Sequence, residues 1–403
     1  MRKRLFIILV LTLLLDLSIR ADVVTETSAK TTALIAAARV PTPSGNRIIA
    51  TTQTAVFEAV NAVTGRYPAG KFGLKPAEGA SIEASVAAAT RTVLLNMLPN
   101  QKEAIEENYR QALSSISEGP AKAAGIKIGD EAAEAVLAYR KDDNPDLVES
   151  FRPITQPGVY VPTAIPAFSV WLKRKPWAME RADQFRPGPP PDLKSELWTR
   201  DFNEIKSMGV KNGSKRTQEQ TSIASFWEAT GTSIYWPVVL SVANLQKREV
   251  TQNARLLAIV GQAIDDAIIA VFDAKYTYNF WRPITAIRNG DIDGNDATER
   301  DPSWTPFIET PMHPEYPCAH CIVASTIGTV LKAELGETPV PELSSTSPTL
   351  AGTTRRWKSI DEFVREVSEA RICDGVHYRN STEVGTAMGM RIGDLVYSKF
   401  PSK

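Results

Sequence analysis

Apolar side chains recur at three- and four-residue steps over long parts of the chain. Residues 50–63, 81–98, 100–116, 121–141 and 217–229 all carry this period, with Ala, Glu, Gln and Lys filling the positions between. A period near 3.6 puts the apolar positions on one face, so each stretch predicts an amphipathic helix. Alternating β-branched patterns are scarce, and the expected fold class is all-α, a helical bundle. Prolines punctuate the helices: residues 152–166 carry four, and Pro187, Pro189, Pro190 and Pro191 form an extended connector. That connector is the expected boundary between an N-terminal helical region, 22–190, and a C-terminal domain, 191–403; a long loop on one continuous bundle is the alternative.

The chain opens differently. Arg2, Lys3 and Arg4 precede an unbroken apolar run from Leu5 to Val10 that continues to Leu15, which is the form of a secretory signal peptide cleaved after Ala21. An uncleaved anchor is the other reading, but the run is short for a bilayer span. The most apolar later segment, 256–272, is interrupted by Gln262, Asp265 and Asp266, so no further span is expected. The expected location is periplasmic or secreted.

Charge narrows the partners. Lys plus Arg and Asp plus Glu both number 46, giving a formal net charge of zero, and there is no basic run beyond the first four residues. Nothing here would recruit nucleic acid or an anionic membrane, so any positive charge that matters is local.

Three local clusters stand out. Lys275 and Arg282, with Pro283 after them, lie two helical turns apart; on one helix both side chains leave the same face within about twenty degrees. Two such cations repel unless an anion lies between them. A solvated basic face is the alternative, which the neighbouring Phe280 and Trp281 weaken. The second cluster, Pro314–Glu315–Tyr316–Pro317–Cys318–Ala319–His320–Cys321, runs into a helix-like stretch at 322–335. Small residues opening a helix leave N–H groups free to face an anion. The third holds Arg371, Cys373, Asp374, Gly375 and His377 before a last helix expected at 382–397. Two of the chain's three histidines fall in these clusters.

Together the clusters resemble the signature of the vanadium-dependent haloperoxidase and type 2 phosphatidic acid phosphatase (PAP2) superfamily: Lys–x6–Arg–Pro, Pro–Ser–Gly–His, and Ser–Arg–x5–His–x3–Asp. Order and spacing match at Lys275, Arg282, Pro283, Pro317, His320, Arg371 and His377. Residues 39–63 also resemble the opening helix of the soluble bacterial haloperoxidase-like members. The resemblance implies a helical bundle of the PAP2/haloperoxidase type holding vanadate, with Lys275, Arg282 and Arg371 on its equatorial oxygens and N–H groups near Cys318 and Ala319 assisting. It implies His377 as the metal ligand and His320 as the acid–base group, with hydrogen peroxide and halide as substrates. In the phosphatases of the superfamily, the position of His377 attacks phosphorus and that of His320 protonates the leaving oxygen, so a phosphate ester is the alternative substrate. An inactive oxyanion-binding protein is a third reading.

The chain departs from the signature at four places. Cys318 stands for serine, Ala319 for glycine, Ala370 for serine, and Ser381 for the aspartate four residues after His377. Without that aspartate His377 lacks its usual orienting carboxylate, unless Asp374 or Glu383 replaces it. All three cysteines lie in the clusters; if the clusters converge, a disulfide from Cys373 to Cys318 or Cys321 is expected, leaving one thiol over. A Cys/His metal site is disfavoured because Cys–x–His–Cys lacks structural zinc spacing. The expected activity is oxidation of halide by peroxide; homo-oligomer formation is left open.

Overall fold

A computed structural model describes residues 22–143, 151–162 and 164–400; the segment 1–21, expected from the sequence to be a signal peptide, lies outside the described residues. Thirteen α-helices are described: α1 (Val23–Ala37), α2 (Thr42–Thr64), α3 (Ile82–Met97), α4 (Lys102–Ser114), α5 (Pro120–Tyr139), α6 (Glu196–Met208), α7 (Gln218–Trp227), α8 (Thr232–Ala243), α9 (Val250–Tyr278), α10 (Pro283–Arg288), α11 (Ala319–Leu335), α12 (Ile360–Cys373) and α13 (Arg379–Lys399). The described strands are two short ones, β1 (Leu343–Thr346) and β2 (Thr354–Trp357), paired antiparallel with Leu343 opposite Trp357. The chain is thus a helical bundle, as its periodicity predicts.

The helices at 42–64, 82–97, 102–114, 120–139 and 218–227 fall where the apolar period placed them, and their starts show why. Ser81 and Thr217 each accept the N–H three residues on, and Thr217 forms a reciprocal capping box with Gln220.

The centre of the bundle is α9, in which almost every side chain from Thr251 to Lys275 is buried. One apolar cluster surrounds it, drawing Ile49 and Val56 from α2, Val86 and Val93 from α3, Val136 from α5, Ile327 and Leu331 from α11 and Ile392 from α13. The acidic pair within α9 is buried but not orphaned. Asp266 accepts the N–H groups of Trp177, Ala178 and Met179 at 2.6–3.0 Å, and Asp265 accepts the Trp177 indole N–H at 2.7 Å. A loop from the chain before the connector is thereby fastened to the middle of the core helix. The proline connector itself lies near the end of α9, where the hydroxyls of Tyr278 and Tyr316 donate to the carbonyls of Pro187 and Gly188.

Helix α13 crosses α11 at very close range. Gly385, Gly389 and Gly393 face it at four-residue intervals, and a Cβ at Gly389 would lie 2.3 Å from the Ile322 carbonyl oxygen. Larger residues there would push the two backbones apart, so this stripe sets the position of the first turn of α11.

Candidate active site

The first cluster is built differently from the single helix face expected of it. Helix α9 stops at Tyr278 because Asn279 turns into the left-handed region (φ 50°), and Phe280 forms a β-bridge with Val159. Arg282 is then the extended N-cap of α10, with Pro283 at the first helical position, where a missing N–H costs nothing. Pro283 thus opens a helix. Lys275 and Arg282 nonetheless remain neighbours, close enough for the Arg282 guanidinium to lower the Lys275 pKa.

Both cations are fully buried. Lys275 Nζ donates to the Pro314 carbonyl at 3.0 Å and that of Glu315 at 2.7 Å. Burial, then the Arg282 guanidinium, holds its pKa well below the ordinary lysine range. Arg282 donates to the carbonyls of His313 (2.9 Å) and Val376 (2.8 Å) and to His313 Nδ1 (3.0 Å), and burial lowers its pKa to about 10. Sequence reasoning passed over His313, which packs against Arg282 from the loop before α11.

Arg371, in the last turn of α12, donates through one guanidinium nitrogen to the Trp227 carbonyl and pairs with Asp374, each at 2.8 Å. Its Nε is buried with no hydrogen-bond partner among the described residues. Asp374 is thus the anchor of Arg371 and not the orienting partner of His377. Burial pushes its carboxyl up to about 6.

After Asp374 the chain must turn sharply to bring His377 round. Gly375 takes φ +85°, and a Cβ there would meet the Gly209 carbonyl at 2.4 Å, so no other residue fits. His377 N–H then donates to the Arg371 carbonyl at 3.0 Å, closing the turn. The imidazole Nδ1 lies 2.7 Å from Glu315 Oε1, which also accepts the Tyr378 N–H at 3.1 Å. Ser381 Oγ is 3.5 Å from Nδ1, too far for a good bond, and Glu383 is exposed beside Arg200. The orienting carboxylate therefore comes from neither Asp374 nor Glu383 but from Glu315, five residues before His320. It was missed because nothing in linear spacing links residue 315 to residue 377. The available signal was a glutamate inside an apolar, proline-bounded cluster, where a charge needs a partner.

An oxygen that already accepts Tyr378 N–H accepts from His377 as well, which assigns the proton to Nδ1 and leaves Nε2 as a lone pair. Arg282 lies 3.4 Å from that nitrogen. Burial pushes Glu315 up to about 7, against the pull of Lys275 and Arg282, and holds His377 well below the ordinary histidine range.

His320, in the first turn of α11, has the opposite arrangement. Its Nδ1 lies 2.6 Å from the hydroxyl of Tyr235 on α8, whose pKa burial raises strongly. The hydroxyl keeps its proton and donates a hydrogen bond to Nδ1, which assigns the imidazole's own proton to Nε2. His320 is kept neutral by burial and by Arg371.

Cys318 caps α11, its sulfur accepting the Cys321 N–H at 3.1 Å. The disulfide is Cys318–Cys321, with Cα atoms 5.4 Å apart, and Cys373 is the free thiol. The expected bridge from Cys373 is not formed: positions i and i+3 at a helix start already lie within bridging range, while Cys373 sits on the Arg216 side of α12. Burial pushes the Cys373 thiol up to about 12, so it is an unreactive neutral group. Among the described residues no cluster of His, Cys, Asp and Glu has the form of a metal-binding set.

Ala319, His320, Arg371, His377 and His313 line one cavity of about 390 Å³, whereas Lys275, Arg282 and Cys318 are fully buried and are not among its lining residues. Three buried cations face two buried carboxylates there, an excess that a bound anion would balance.

Residues 255–402 match a family model described as the VCPO second helical-bundle domain. The vanadium chloroperoxidase of Curvularia inaequalis is 27% identical over 142 residues, which are 29% of this chain and 23% of that protein, so the likeness spans about a quarter of the relative's length. Among solved structures, the first bacterial vanadium-dependent iodoperoxidase superposes with a TM-score of 0.79 at 20% identity, covering 94% of this chain and 96% of that one. A holo-type bacterial vanadium-dependent chloroperoxidase gives 0.68 at 16% identity, covering 89% and 92%. These structural likenesses establish the fold.

Proposed function

We propose that this chain, whose residues 255–402 belong to the vanadium haloperoxidase superfamily, binds vanadate on the floor of the cavity and oxidises halide with hydrogen peroxide. The carrying observation is the pair of neutral, buried histidines in opposite tautomers beside three buried cations. The donor set fits a tetrahedral oxyanion: Arg371 Nε is a buried N–H without a partner among the described residues, and Ala319 and His320, which open α11, line the same cavity as Arg371. When bound, vanadate supplies a Lewis-acid centre that makes peroxide electrophilic.

Every other contribution comes from the chain. Glu315 holds the His377 proton on Nδ1 and presents the Nε2 lone pair as the metal ligand. Lys275, Arg282 and Arg371, themselves buried, balance the oxyanion's charge. His320 keeps a proton on Nε2 for a peroxide or product oxygen, and Tyr235 fixes its ring. The basic tip and apolar run of residues 1–15 support an exported protein, and among the described residues no helix is long and apolar enough to cross a membrane.

A second reading is a phosphatase using His377 as nucleophile. Glu315 favours it, because it restores the carboxylate that the signature lost at Ser381. Both are tested by loading the purified protein with orthovanadate and assaying bromide oxidation with peroxide, beside hydrolysis of a chromogenic phosphate ester by the metal-free protein. Vanadate-dependent bromination blocked by phosphate is expected. Ester hydrolysis without bromination would select the second reading, and phosphate binding without either activity would leave an oxyanion-binding protein.

A further inference from the structure

The cavity is larger than its floor requires. Vanadate, peroxide and halide together need on the order of 100–150 Å³ at about 30 Å³ per water-sized unit, whereas the cavity offers about 390 Å³. The remainder exceeds the roughly 150 Å³ in which an apolar cavity holds benzene.

Its walls are apolar and come from four separate parts of the chain. Ile268 and Phe272 project from α9, Val323 from α11, Ile308 and Met312 from the loop before it, and Phe168 from the segment after the first proline cluster. Phe168 has φ +64°, an uncommon conformation for a bulky residue, and lies 5.3 Å from the Phe272 ring. Phe272 in turn stands edge-on to His313 at 5.4 Å, so an aromatic wall descends to the polar floor. At the rim Met312 is 52% exposed and Ile165, two residues from the wall residue Ala167, is 78% exposed.

Charge restricts what enters. Two exposed carboxylates, Glu228 and Glu309, line the cavity, and so does the buried guanidinium of Arg371 beside the histidines of the floor. An organic anion is opposed at the mouth and an organic cation at the floor. From size, walls and charge we infer that the upper cavity is a binding site for an uncharged aromatic organic molecule of about two fused rings, seated over the oxyanion floor. The aromatic site is argued from the walls; only what the ring meets below rests on the vanadate reading.

The test is fluorescence titration of the full protein, saturated with inorganic phosphate, with 2-naphthol and with 2-naphthoate. The naphthol should bind at least about tenfold more tightly than the carboxylate, and Ala167→Trp should weaken naphthol by about tenfold or more through lost volume. Vanadate affinity of that variant should stay within about twofold of wild type. Should Ala167→Trp lower the melting temperature substantially, the exposed Met312→Trp serves in its place. Equal affinity for both naphthalenes, or naphthol binding indifferent to the wall variants, overturns the inference. If wild type binds naphthol as expected but not vanadate, the oxyanion reading falls and the aromatic site stands; the reverse outcome removes the aromatic site alone.

Discussion

His377 and His320 line the same cavity, and burial with neighbouring cations keeps both imidazoles neutral. They differ in what stands behind them. A carboxyl oxygen behind His377 accepts a hydrogen bond from Nδ1–H and so leaves Nε2 as a lone pair, whereas a hydroxyl behind His320 donates a hydrogen bond to Nδ1 and so leaves the ring proton on Nε2. In the proposed site, two residues of one type would serve as ligand and proton donor through their partners alone.

Removing each ring is the hardest test of that difference. His320→Ala should lower turnover by roughly 10²–10⁴-fold while keeping most vanadate affinity. His377→Ala should release vanadate by more than the roughly 10–100-fold that loss of an outer partner costs. Calorimetric vanadate affinity and steady-state turnover of both variants check this. The assignment is reversed if His320→Ala loses the anion and His377→Ala keeps both anion and activity.

The partners come next. Glu315→Gln keeps the shape but not the charge, so vanadate affinity should fall by about 10–100-fold. Unchanged affinity would show that His377 needs no carboxylate. The same variant carries a pH signature. Glu315 keeps its proton to about pH 7 in the folded protein and loses it near 4.5 when unfolded. Between those values the native state binds more protons, so this group's ionisation lowers stability as pH rises, by up to about 3 kcal/mol. The melting temperature of Glu315→Gln minus that of wild type should therefore climb from pH 4.5 to 7 without any anion present; a flat difference would contradict the buried, raised carboxyl. The smallest effect is expected from Tyr235→Phe, which deletes one neutral hydrogen bond of about 0.5–1.5 kcal/mol and should reduce turnover by about tenfold or less with vanadate affinity intact.

How far the sequence reaches differs from element to element. Helices α3 and α5 were legible because each buries mainly one face and so displays its period. Helix α8 was not: its residues are apolar nearly all round and Pro237 interrupts them, so no face is marked. Helix α12 did carry a signal, with Ser359 as cap and Ile360, Phe363 and Val367 on one face, and it went unread beside the stronger motif at its end.

By itself the sequence determined a helical bundle and singled out Lys275, Arg282, His320, Arg371 and His377 as the candidate site, because periodicity and motif spacing are local properties. Tertiary structure decided the rest. It broke the presumed helix between Lys275 and Arg282, paired Cys318 with Cys321, gave Asp374 to Arg371 and brought Glu315 to a histidine 62 residues away. The physical reason is that a buried charge takes whichever partner the packing brings within about 3 Å, and sequence separation carries no information about that distance.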